Sequence, residues 1–326
     1  MRRVLGMLIA IAVLGVAAVV GAVTLYNRPG PLSVVTVVVV PRGGLDGIAE
    51  ALAAANVIHT GPVFPVAVAL TRQAGSPRAG EFEFPAHASL RQVLAILRTA
   101  RPVQHRLTVA EGLTAVQVGA LLDQTTTLDG PTPELVEGSF LPETYTFERG
   151  TTRATIVNRG RAAMDRALDQ AWEGRSRDLP ITKRAELLTL ASIIERETAR
   201  PDERSHIAAA FHNRLRRGMK LQSDPTTIYA ISRTGVLDHP LTRAELDRDD
   251  PYNTYRAPAL PPGPICMPGL ASLLAAARPD GSSDLYFVAD GTGGHAFAAT
   301  QEAHLRNVGR WREVERGRET ERVRPR

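Results

Sequence analysis

The N-terminal part of the chain is one long apolar run. From Val4 to Tyr26 there are 23 residues without a charge, and a helix of that length, at about 1.5 Å per residue, can cross a bilayer. A cleaved signal peptide usually has a shorter apolar region of about 7 to 15 residues, although Val20-Gly21-Ala22 could serve as a cleavage site. Arg2 and Arg3 precede the run and favour a cytoplasmic N-terminus. The pattern therefore predicts a single-pass anchor in the cytoplasmic (inner) membrane, with the chain after Asn27 outside it, in the periplasm.

A short segment of mixed periodicity follows a Pro-Gly-Pro break at residues 29–31. Apolar residues first alternate as in a strand and then recur at helical spacing, and this order is repeated once. The predicted elements are a strand at Ser33–Val40, a helix from Leu45, a helix at Pro62–Thr71, a strand at Gly80–Phe84 and a helix capped by Ser89. The pattern predicts a small β/α unit over residues 31–101.

The remaining chain alternates longer helices with short strands and irregular loops. The predicted elements are a strand at Val103–Val109, a helix ending at Leu122, a long helix at Thr152–Trp172, a helix from about Thr182, a Pro-, Gly- and Tyr-rich loop at Asp249–Pro268 and a strand at Leu285–Ala289. This mixture predicts an α+β fold for a second, larger domain over residues 102–309. Residues 310–326 are highly charged and form either a solvated helix or a disordered tail.

The net charge of +5 comes from the two ends of the chain. Arg2 and Arg3 supply two positive charges, and the tail holds seven arginines against four glutamates. A nucleic-acid-binding protein needs a basic stripe on a folded face, and the nearly neutral body offers none. The single cysteine, Cys266, lies in a Pro- and Gly-rich loop without a neighbouring base, so packing is its expected role.

Among groups that could carry chemistry, the carboxylates are the most informative. The sequence lacks the familiar nucleotide, serine-hydrolase and zinc motifs. His206 and His212 are six residues apart and do not share a helical face, so no metal or cofactor is predicted. Glu195 and Glu197 end a strongly apolar helix, but residues two apart on a helix point about 200° from each other. Only one of the two glutamates can therefore face a given cleft.

Glu197 is the better candidate for an acid or base. It continues the apolar row of Leu187, Leu190 and Ile194, where partial desolvation would raise the pKa of its carboxyl toward neutrality. The alternative is an ordinary helix-end glutamate that pairs with Arg196, Arg200 or Arg204. The spacing leaves both interpretations open.

Further polar and aromatic residues have structural as well as functional interpretations. Asp224 precedes Pro225 and could simply cap a helix, with the proline at its first position. The segment Tyr252–Tyr255 combines aromatic rings with an amide, as sugar-binding loops do, but turn packing explains it equally well. His295 follows a glycine-rich turn and is either a site residue or merely exposed.

The chain also carries several long motifs in a fixed order. They are Glu111-Gly112, Glu137 to Tyr145, Leu190 to Thr198, Phe211 to Leu215, Met219 to Thr226, Tyr252 to Tyr255, Leu260 to Ile265, Leu285 to Ala289 and Gly294-His295-x-Phe297. Together they resemble the MltG (YceG-like) family of endolytic murein transglycosylases. The resemblance runs from the apolar N-terminus to about Val308.

The resemblance implies a fold, an activity and a catalytic residue. It implies a LysM-like module at 31–101 after the anchor at 1–30, and a catalytic domain at 102–309. The resemblance implies that Glu197 is the catalytic residue. We expect the cleft to be lined by Gln222, Asp224, Tyr229, Tyr252, Asn253, Tyr255 and His295. The expected activity is endolytic cleavage of nascent peptidoglycan strands after N-acetylmuramic acid, which leaves 1,6-anhydro ends and terminates strand elongation. Peptidoglycan strands and the membrane are the expected partners, and peptidoglycan synthases are candidate partners.

Two other functions are compatible with the same residues. The first is an ordinary glycoside hydrolase, which would need a second carboxylate, Glu143 or Asp224, to activate water. The second is a non-catalytic, membrane-anchored glycan-binding protein. The mass of the product distinguishes a lyase from a hydrolase, and any turnover of glycan excludes a pure binding protein.

Overall fold

The structure, a computed structural model, describes residues 2–323. Met1 and residues 324–326, at the outer ends of the predicted anchor and tail, lie outside the described residues. The chain divides into two compact units. Unit 1 extends to Arg106 and also includes Thr146–Thr151, and unit 2 comprises Leu107–Tyr145 and the chain from Thr152 onward.

Unit 1 begins with helix α1, Arg2–Asn27. Its segment Arg3–Asn27 is long and apolar enough to cross a membrane, and its apolar side chains are exposed. At 1.5 Å per residue these 25 residues span about 37 Å, more than the roughly 30 Å hydrocarbon core of a bilayer. The apolar helix predicted from the sequence is therefore confirmed, and it fits a single-pass anchor.

The rest of unit 1 packs helices against a two-stranded sheet. Strand β1, Thr36–Val40, pairs antiparallel with β2, Gly80–Phe84, with Val38 opposite Phe82. The helices of this unit are α2, Leu45–Ala54, α3, Val63–Leu70, and α4, Leu90–Thr99, and a 3-10 turn covers Arg72–Ala74. The inward side chains of both strands are buried among residues of all three helices.

Two predictions for unit 1 can be compared directly with this structure. Ser89 caps α4 with a reciprocal pair of hydrogen bonds to Gln92, so the predicted cap is confirmed. The first strand begins at Thr36, three residues later than predicted from the valine-rich run. Val34 and Val35 are exposed instead, because the run of valines does not itself mark where pairing with β2 starts.

Unit 2 is mainly helical, and its elements follow the predicted mixture of helices and strands. Its helices are α5, Ala115–Gln124, α6, Arg153–Glu173, α7, Arg184–Glu197, α8, Arg204–Arg216, α9, Asp224–Ile231, α10, Arg243–Leu246, α11, Leu270–Ala277, and α12, Gln301–Val323. The strands that follow β2 are β3, Gln104–Thr108, β4, Leu128–Asp129, β5, Thr144–Glu148, β6, Thr151–Thr152, β7, Tyr286–Ala289, and β8, His295–Ala298. The boundary between the units passes through β3 and β5.

Helix α7 lies at the centre of unit 2. It contacts α6, α8, α9 and α11, and its residues from Leu190 to Ile194 are all buried. A helix that is buried on nearly every face needs apolar residues around its circumference, which agrees with the apolar run of this segment. The rigid surroundings of α7 fix the direction of its last turn.

The segment Asp249–Pro268 has no regular helix or strand, as predicted, and it passes close to α7. The amide of Ile265 donates to Ser192 Oγ at 3.0 Å, and Cys266 Sγ lies 3.3 Å from the carbonyl oxygen of Ser192. Cys266 is completely buried, and burial raises the pKa of its thiol well above the ordinary value. These contacts agree with the packing role expected for Cys266.

Candidate active site

The candidate site is built at the carboxyl end of α7. The helix ends at Glu197 because Thr198 is extended, with φ −143° and ψ 135°. Glu197 follows the buried row of Leu187, Leu190 and Ile194 and is itself only partly buried. A cavity of about 410 Å³ opens beside it. The cavity is lined by Glu111, Gly112, Glu195, Arg196, Glu197, Thr198, Ala199 and Arg204.

The surroundings of Glu197 favour its protonated form. Burial raises the pKa of its carboxyl from 4.5 to about 7. The hydroxyl of Ser223 donates a hydrogen bond to Oε1, which lowers the pKa, whereas the negative charge of Asp224 raises it. The positive charge of Arg214 lowers it. Near pH 7 both protonation states are therefore populated, as a group that acts in turn as acid and base requires.

The two oxygens of Glu197 differ in their contacts. Oε1 accepts the hydrogen bond from Ser223. In the part of the chain that the structure describes, no second protein group hydrogen-bonds to the carboxyl, and no arginine, lysine or histidine nitrogen lies within 4 Å of it. The proton of the neutral acid is therefore best carried by Oε2, which remains available to a ligand.

Ser223 is held in place by a buried threonine. Its amide donates to Thr254 Oγ1 at 3.0 Å, and the hydroxyl of Thr254 lies 2.8 Å from that of Thr226. The preceding residue, Gln222, has a positive φ of 49°, and its amide donates to the carbonyl of Thr254 at 3.2 Å. A non-glycine residue in this conformation is uncommon and marks a turn that its surroundings hold in place.

Arg214 supports the same turn from the other side. It is buried, its Nη1 donates to the carbonyl oxygen of Leu221, and its Nε donates to that of Leu285 at 2.6 Å. A buried guanidinium that is bonded to carbonyls keeps its positive charge without a carboxylate partner. This charge thus fixes the backbone just before Ser223 and also favours the ionised form of Glu197.

Asp224 begins α9 rather than capping it. The N-cap position belongs to Ser223, so the predicted arrangement with Asp224 as cap and Pro225 as first helical residue is wrong by one position. The serine side chain is committed to Glu197, which leaves the helix without a side-chain cap. The exposed Asp224 accepts a hydrogen bond of 2.6 Å from the hydroxyl of Tyr255, and burial raises the pKa of that hydroxyl.

Asn253 holds the loop that contains these residues. Its Oδ1 accepts from Thr227 Oγ1 at 2.9 Å and from the amide of Tyr255 at 3.1 Å. Its Nδ2 donates to the carbonyls of Leu246 and Arg248 at 3.0 and 2.8 Å. The side chain is fully buried and all its hydrogen-bonding groups are used. The geometry therefore gives Asn253 a structural task, and its predicted contact with substrate stays a prediction.

Tyr229 of α9 and Tyr252 of the loop that follows α10 form an aromatic pair. Their ring centroids are 5.0 Å apart, and the guanidinium carbon of Arg233 lies 4.6 and 4.8 Å from the two centroids. Burial raises the pKa of Tyr229 to about 12, with the nearby charge of Glu137 adding to the rise. Tyr229 is only 6% exposed and belongs to the core of unit 2, with Tyr252 packed against it, so the predicted contacts of both tyrosines with substrate stay predictions.

His295 is linked to the end of α7 through Glu203, whereas Gln222 directly precedes Ser223 in the turn before α9. His295 Nδ1 lies 2.7 Å from Glu203 Oε2, and its amide donates to Oε1 of the same carboxylate at 3.0 Å. The hydroxyl of Thr198 reaches Glu203 at 3.3 Å, so His295 is linked to the end of α7 through this glutamate. The side chain of Gln222 is exposed. The predicted contacts of both with a ligand stay predictions.

Glu195 lines the same cavity, although only one of the two glutamates was expected to face a given cleft, and its partners differ from those of Glu197. Its Oε2 accepts from the amide of Gly269 at 2.9 Å, and its Oε1 lies 3.6 Å from Arg204 Nη2. Arg204 also lies 3.7 Å from Glu111. A Cβ at position 269 would lie 1.9 Å from Glu111 Oε1, so a residue larger than glycine there requires the half-exposed Glu111 side chain to move. The arginine pairing considered as the alternative for Glu197 is thus found for Glu195.

Several residues of the site were not singled out from the sequence. Ser223, Thr254, Arg214 and Glu111 lie within the recognised motifs, and Glu203 lies outside them. Their side chains gave no reason for a special role, because each acts through a partner that is distant in the sequence. For example, 26 positions separate Ser223 from Glu197. Only the family motifs could have drawn attention to the four that they contain.

Comparison with known proteins is consistent with the motifs. The model of the YceG-like family matches residues 37–310. An endolytic murein transglycosylase of Streptococcus pneumoniae is 37% identical over 177 residues, 53% of this chain and 32% of the relative. One of Bacillus subtilis is 34% identical over 169 residues, 52% of this chain and 46% of the relative. The matched region thus spans between a third and a half of the length of these relatives.

A solved structure gives a similar picture for the fold. The crystal structure of a yceG-like protein from Listeria monocytogenes superposes with a TM-score of 0.54 and 27% sequence identity. The superposition covers 83% of this chain and 98% of the Listeria chain. The likeness therefore covers most of the length of both chains.

Proposed function

The chain belongs to the YceG-like family, and from this premise we propose that it is a membrane-anchored endolytic murein transglycosylase. Its substrate would be the glycan strands of nascent peptidoglycan, cut after N-acetylmuramic acid. The observation that carries the proposal is the state of Glu197. This carboxyl has a pKa raised by burial to about 7, one oxygen bound to Ser223 and the other free toward a ligand.

In the first half of the proposed reaction Glu197 is the acid. The proton on Oε2 passes to the glycosidic oxygen that follows C1 of N-acetylmuramic acid, and the bond between C1 and this oxygen breaks. The leaving sugar keeps the proton as its new hydroxyl. Ser223 holds Oε1 throughout, so the carboxylate that forms already has one hydrogen bond, and Arg214 contributes a stabilising positive charge.

In the second half Glu197 is the base. The hydroxyl on C6 of the same N-acetylmuramic acid transfers its proton to the carboxylate while its oxygen bonds to C1. The product end is a 1,6-anhydro sugar, no water is consumed and the acid is regenerated. One carboxyl suffices because the nucleophile belongs to the substrate, and intramolecular attack has a very high effective molarity.

A hydrolase would need a second carboxylate to activate water, and the two candidates differ in their positions. Asp224 acts electrostatically on Glu197, but its Oδ1 is engaged by the hydroxyl of Tyr255 at 2.6 Å. Glu143 is exposed and borders Tyr145, whose pKa is raised first by burial and then by the charge of Glu143. These contacts favour the single-acid mechanism over hydrolysis.

The remaining features of the proposal concern location and accessory parts. Arg2 and Arg3 favour a cytoplasmic N-terminus, so residues after Asn27 would lie in the periplasm, anchored by α1. The two antiparallel strands of unit 1, with α2 and α3 between them in sequence, support a LysM-like, glycan-binding module at 31–101. The catalytic domain would then cover 102–309, and peptidoglycan synthases are candidate partners.

The activity is tested with the full-length protein in detergent and purified, uncrosslinked glycan strands. Mass spectrometry of the digest should find ends that are lighter by one water than hydrolytic ends, and cuts inside the strands. The same protein with Glu197→Gln is the control for contaminating enzymes. Reducing ends from the active protein would identify water as the nucleophile, and the absence of any turnover would favour a binding protein.

The topology is tested separately in cells. A reporter fused after Asn27 should be active only outside the cytoplasmic membrane, and the protein should stay in the membrane fraction after a carbonate wash. Release of a shortened, soluble protein would show that the segment is a cleaved signal peptide.

A further inference from the structure

Helix α3 of unit 1 has an exposed apolar face. Val63, Val66 and Leu70 are 37%, 57% and 76% exposed, and their spacing places them on one side of the helix. On its other side Phe64 and Val68 are buried in the core of unit 1. A contiguous apolar surface of this kind marks a site of interaction.

The exposed face of α3 continues into the end of α1. An apolar groove of about 410 Å³ runs between the two helices. Its walls include Val23 and Tyr26 of α1, Val66 and Leu70 of α3, and Leu90 at the start of α4. The surface is therefore continuous with the segment that fits a membrane anchor.

The length of α1 gives the depth at which this groove lies. The apolar run starts at Val4, and about 20 residues suffice to cross a hydrocarbon core of about 30 Å. The helix therefore leaves the hydrocarbon near Val23, where the groove begins. Tyr26 would then lie at the level of the headgroups, a position where tyrosine is enriched. Because α3 lies beside this last part of α1, it lies at the same depth.

The charges around the groove fit a lipid surface. Arg28 follows Tyr26 by two residues and Arg72 follows Thr71 directly, and both are exposed; Arg98 donates to Thr71 Oγ1 at 2.9 Å on the wall of the groove. Within the described part of the chain, none of the three guanidinium groups has a carboxylate within 4 Å. An apolar face bordered by unpaired arginines suits acyl chains with anionic headgroups above them.

We propose that unit 1 docks on the outer surface of the bilayer through α3, with acyl chains filling the groove between α3 and α1. The proposal rests on α1 being the membrane anchor of the proposed function. It adds that the first folded unit lies on the lipid surface and is not simply tethered to it. A second protein segment in the groove is the competing occupant, and the test below distinguishes the two.

The test uses the full-length chain in vesicles of phosphatidylcholine and phosphatidylglycerol. The buried Cys266 is replaced by serine, and single cysteines are introduced for labelling with an environment-sensitive fluorophore. The variants are Val66→Cys and Leu70→Cys on the proposed face, Val13→Cys in the middle of α1, and Glu83→Cys at an exposed position on β2. Lipids spin-labelled near the headgroup or deep in the acyl chain serve as quenchers.

The labels at positions 66 and 70 should be quenched at least about two-fold more by the shallow quencher than the label at position 83. The label at position 13 should respond best to the deep quencher. If position 13 is quenched while 66 and 70 behave like 83, α1 is an anchor but the docking proposal is wrong. Labels at 66 and 70 with apolar emission but without quenching by either lipid would show a protein occupant and would also overturn it. An unquenched label at position 13 would refute the anchor itself.

Discussion

The last turn of α7 presents two glutamates to two different environments. Glu195 accepts a backbone hydrogen bond from Gly269 and is paired with Arg204. Glu197 has a hydroxyl as its hydrogen-bond partner and, among the described residues, no basic nitrogen within 4 Å. Glu195 thus has a backbone donor and an arginine beside it, whereas burial raises the pKa of Glu197 to about 7. These surroundings support the role of acid that is proposed for Glu197.

The largest expected effect that separates the two glutamates is on activity. Glu197→Gln keeps the shape of the side chain but removes both proton transfers, and loss of one such group typically costs 10²- to 10⁴-fold. Glu195→Gln leaves the proton path intact and should cost far less. Release of anhydro-ended fragments, measured at equal concentrations of folded protein, tests this difference. If the Glu195 variant is as inactive as the Glu197 variant yet still folded, the wrong glutamate has been chosen.

The next effect is on stability, where the two substitutions should have opposite signs. The pKa of Glu197 is about 7 in the folded protein and 4.5 as the ordinary value. The folded state therefore binds the proton more tightly, so ionisation of Glu197 costs stability progressively from pH 4.5 to 7 and fully above pH 7. The cost is at most about 3 kcal/mol. Glu197→Gln should remove it, so the variant should be more stable than the wild type at pH 8 and similar at pH 4.

Glu195→Gln should instead lower the stability. It removes the carboxylate 3.6 Å from Arg204, whose side chain is 12% exposed, and leaves only Glu111, 3.7 Å away and nearly half exposed, as partner. Removing one member of a fully buried ion pair costs about 3–5 kcal/mol, and the loss here should be smaller because Arg204 keeps Glu111 and some solvent. Denaturant unfolding of unit 2 in both variants at pH 8 and pH 4 tests the comparison. Destabilisation by both substitutions at pH 8 would mean that burial does not disfavour the ionised form of the Glu197 carboxyl.

The sequence predicted the secondary structure and the family better than the side-chain contacts around the two glutamates. The end of the helix at Glu197 is confirmed, as are the mixture of helices and strands, the apolar N-terminal helix and the family. These features depend on local patterns or on motifs of several residues. The expectation that only one of Glu195 and Glu197 faces a given cleft does not hold, because both line the same cavity, although their carboxyls have different hydrogen-bond partners.

The details depend on contacts that no local pattern contains. The N-cap preference of aspartate placed Asp224 before the helix, but the chain brings Ser223 to that position because its hydroxyl bonds to Glu197. The hydrogen-bonding groups of Asn253 are all used by neighbouring residues, a role that the sequence did not indicate. Which residues of the cleft contact the substrate stays a prediction.

The smallest effects concern the two neighbours that tune Glu197 in opposite directions. The hydrogen bond from Ser223 lowers the pKa of Glu197, and the charge of Asp224 raises it. If the acid form of Glu197 starts the reaction, kcat/KM falls as the pH rises through this pKa. Ser223→Ala should therefore move the basic limb of the profile to higher pH. Asp224→Asn should move it to lower pH while it keeps an acceptor for the hydroxyl of Tyr255.

The size of the rate loss distinguishes a residue that only shifts the pKa of Glu197 from one that transfers a proton itself. Ser223→Ala loses one hydrogen bond to a charged group, worth about 1.5–3 kcal/mol, so the rate should fall about 10- to 100-fold. Ser223→Thr should recover part of it, because the hydroxyl is retained. Asp224→Asn should stay within about ten-fold of the wild type, since it removes a charge but no proton transfer. A loss as large as that of Glu197→Gln would instead identify Asp224 as the second carboxylate of a hydrolase, and the products would then carry reducing ends. Limbs that move in the same direction in the two variants would show that neither neighbour acts through the titration of Glu197.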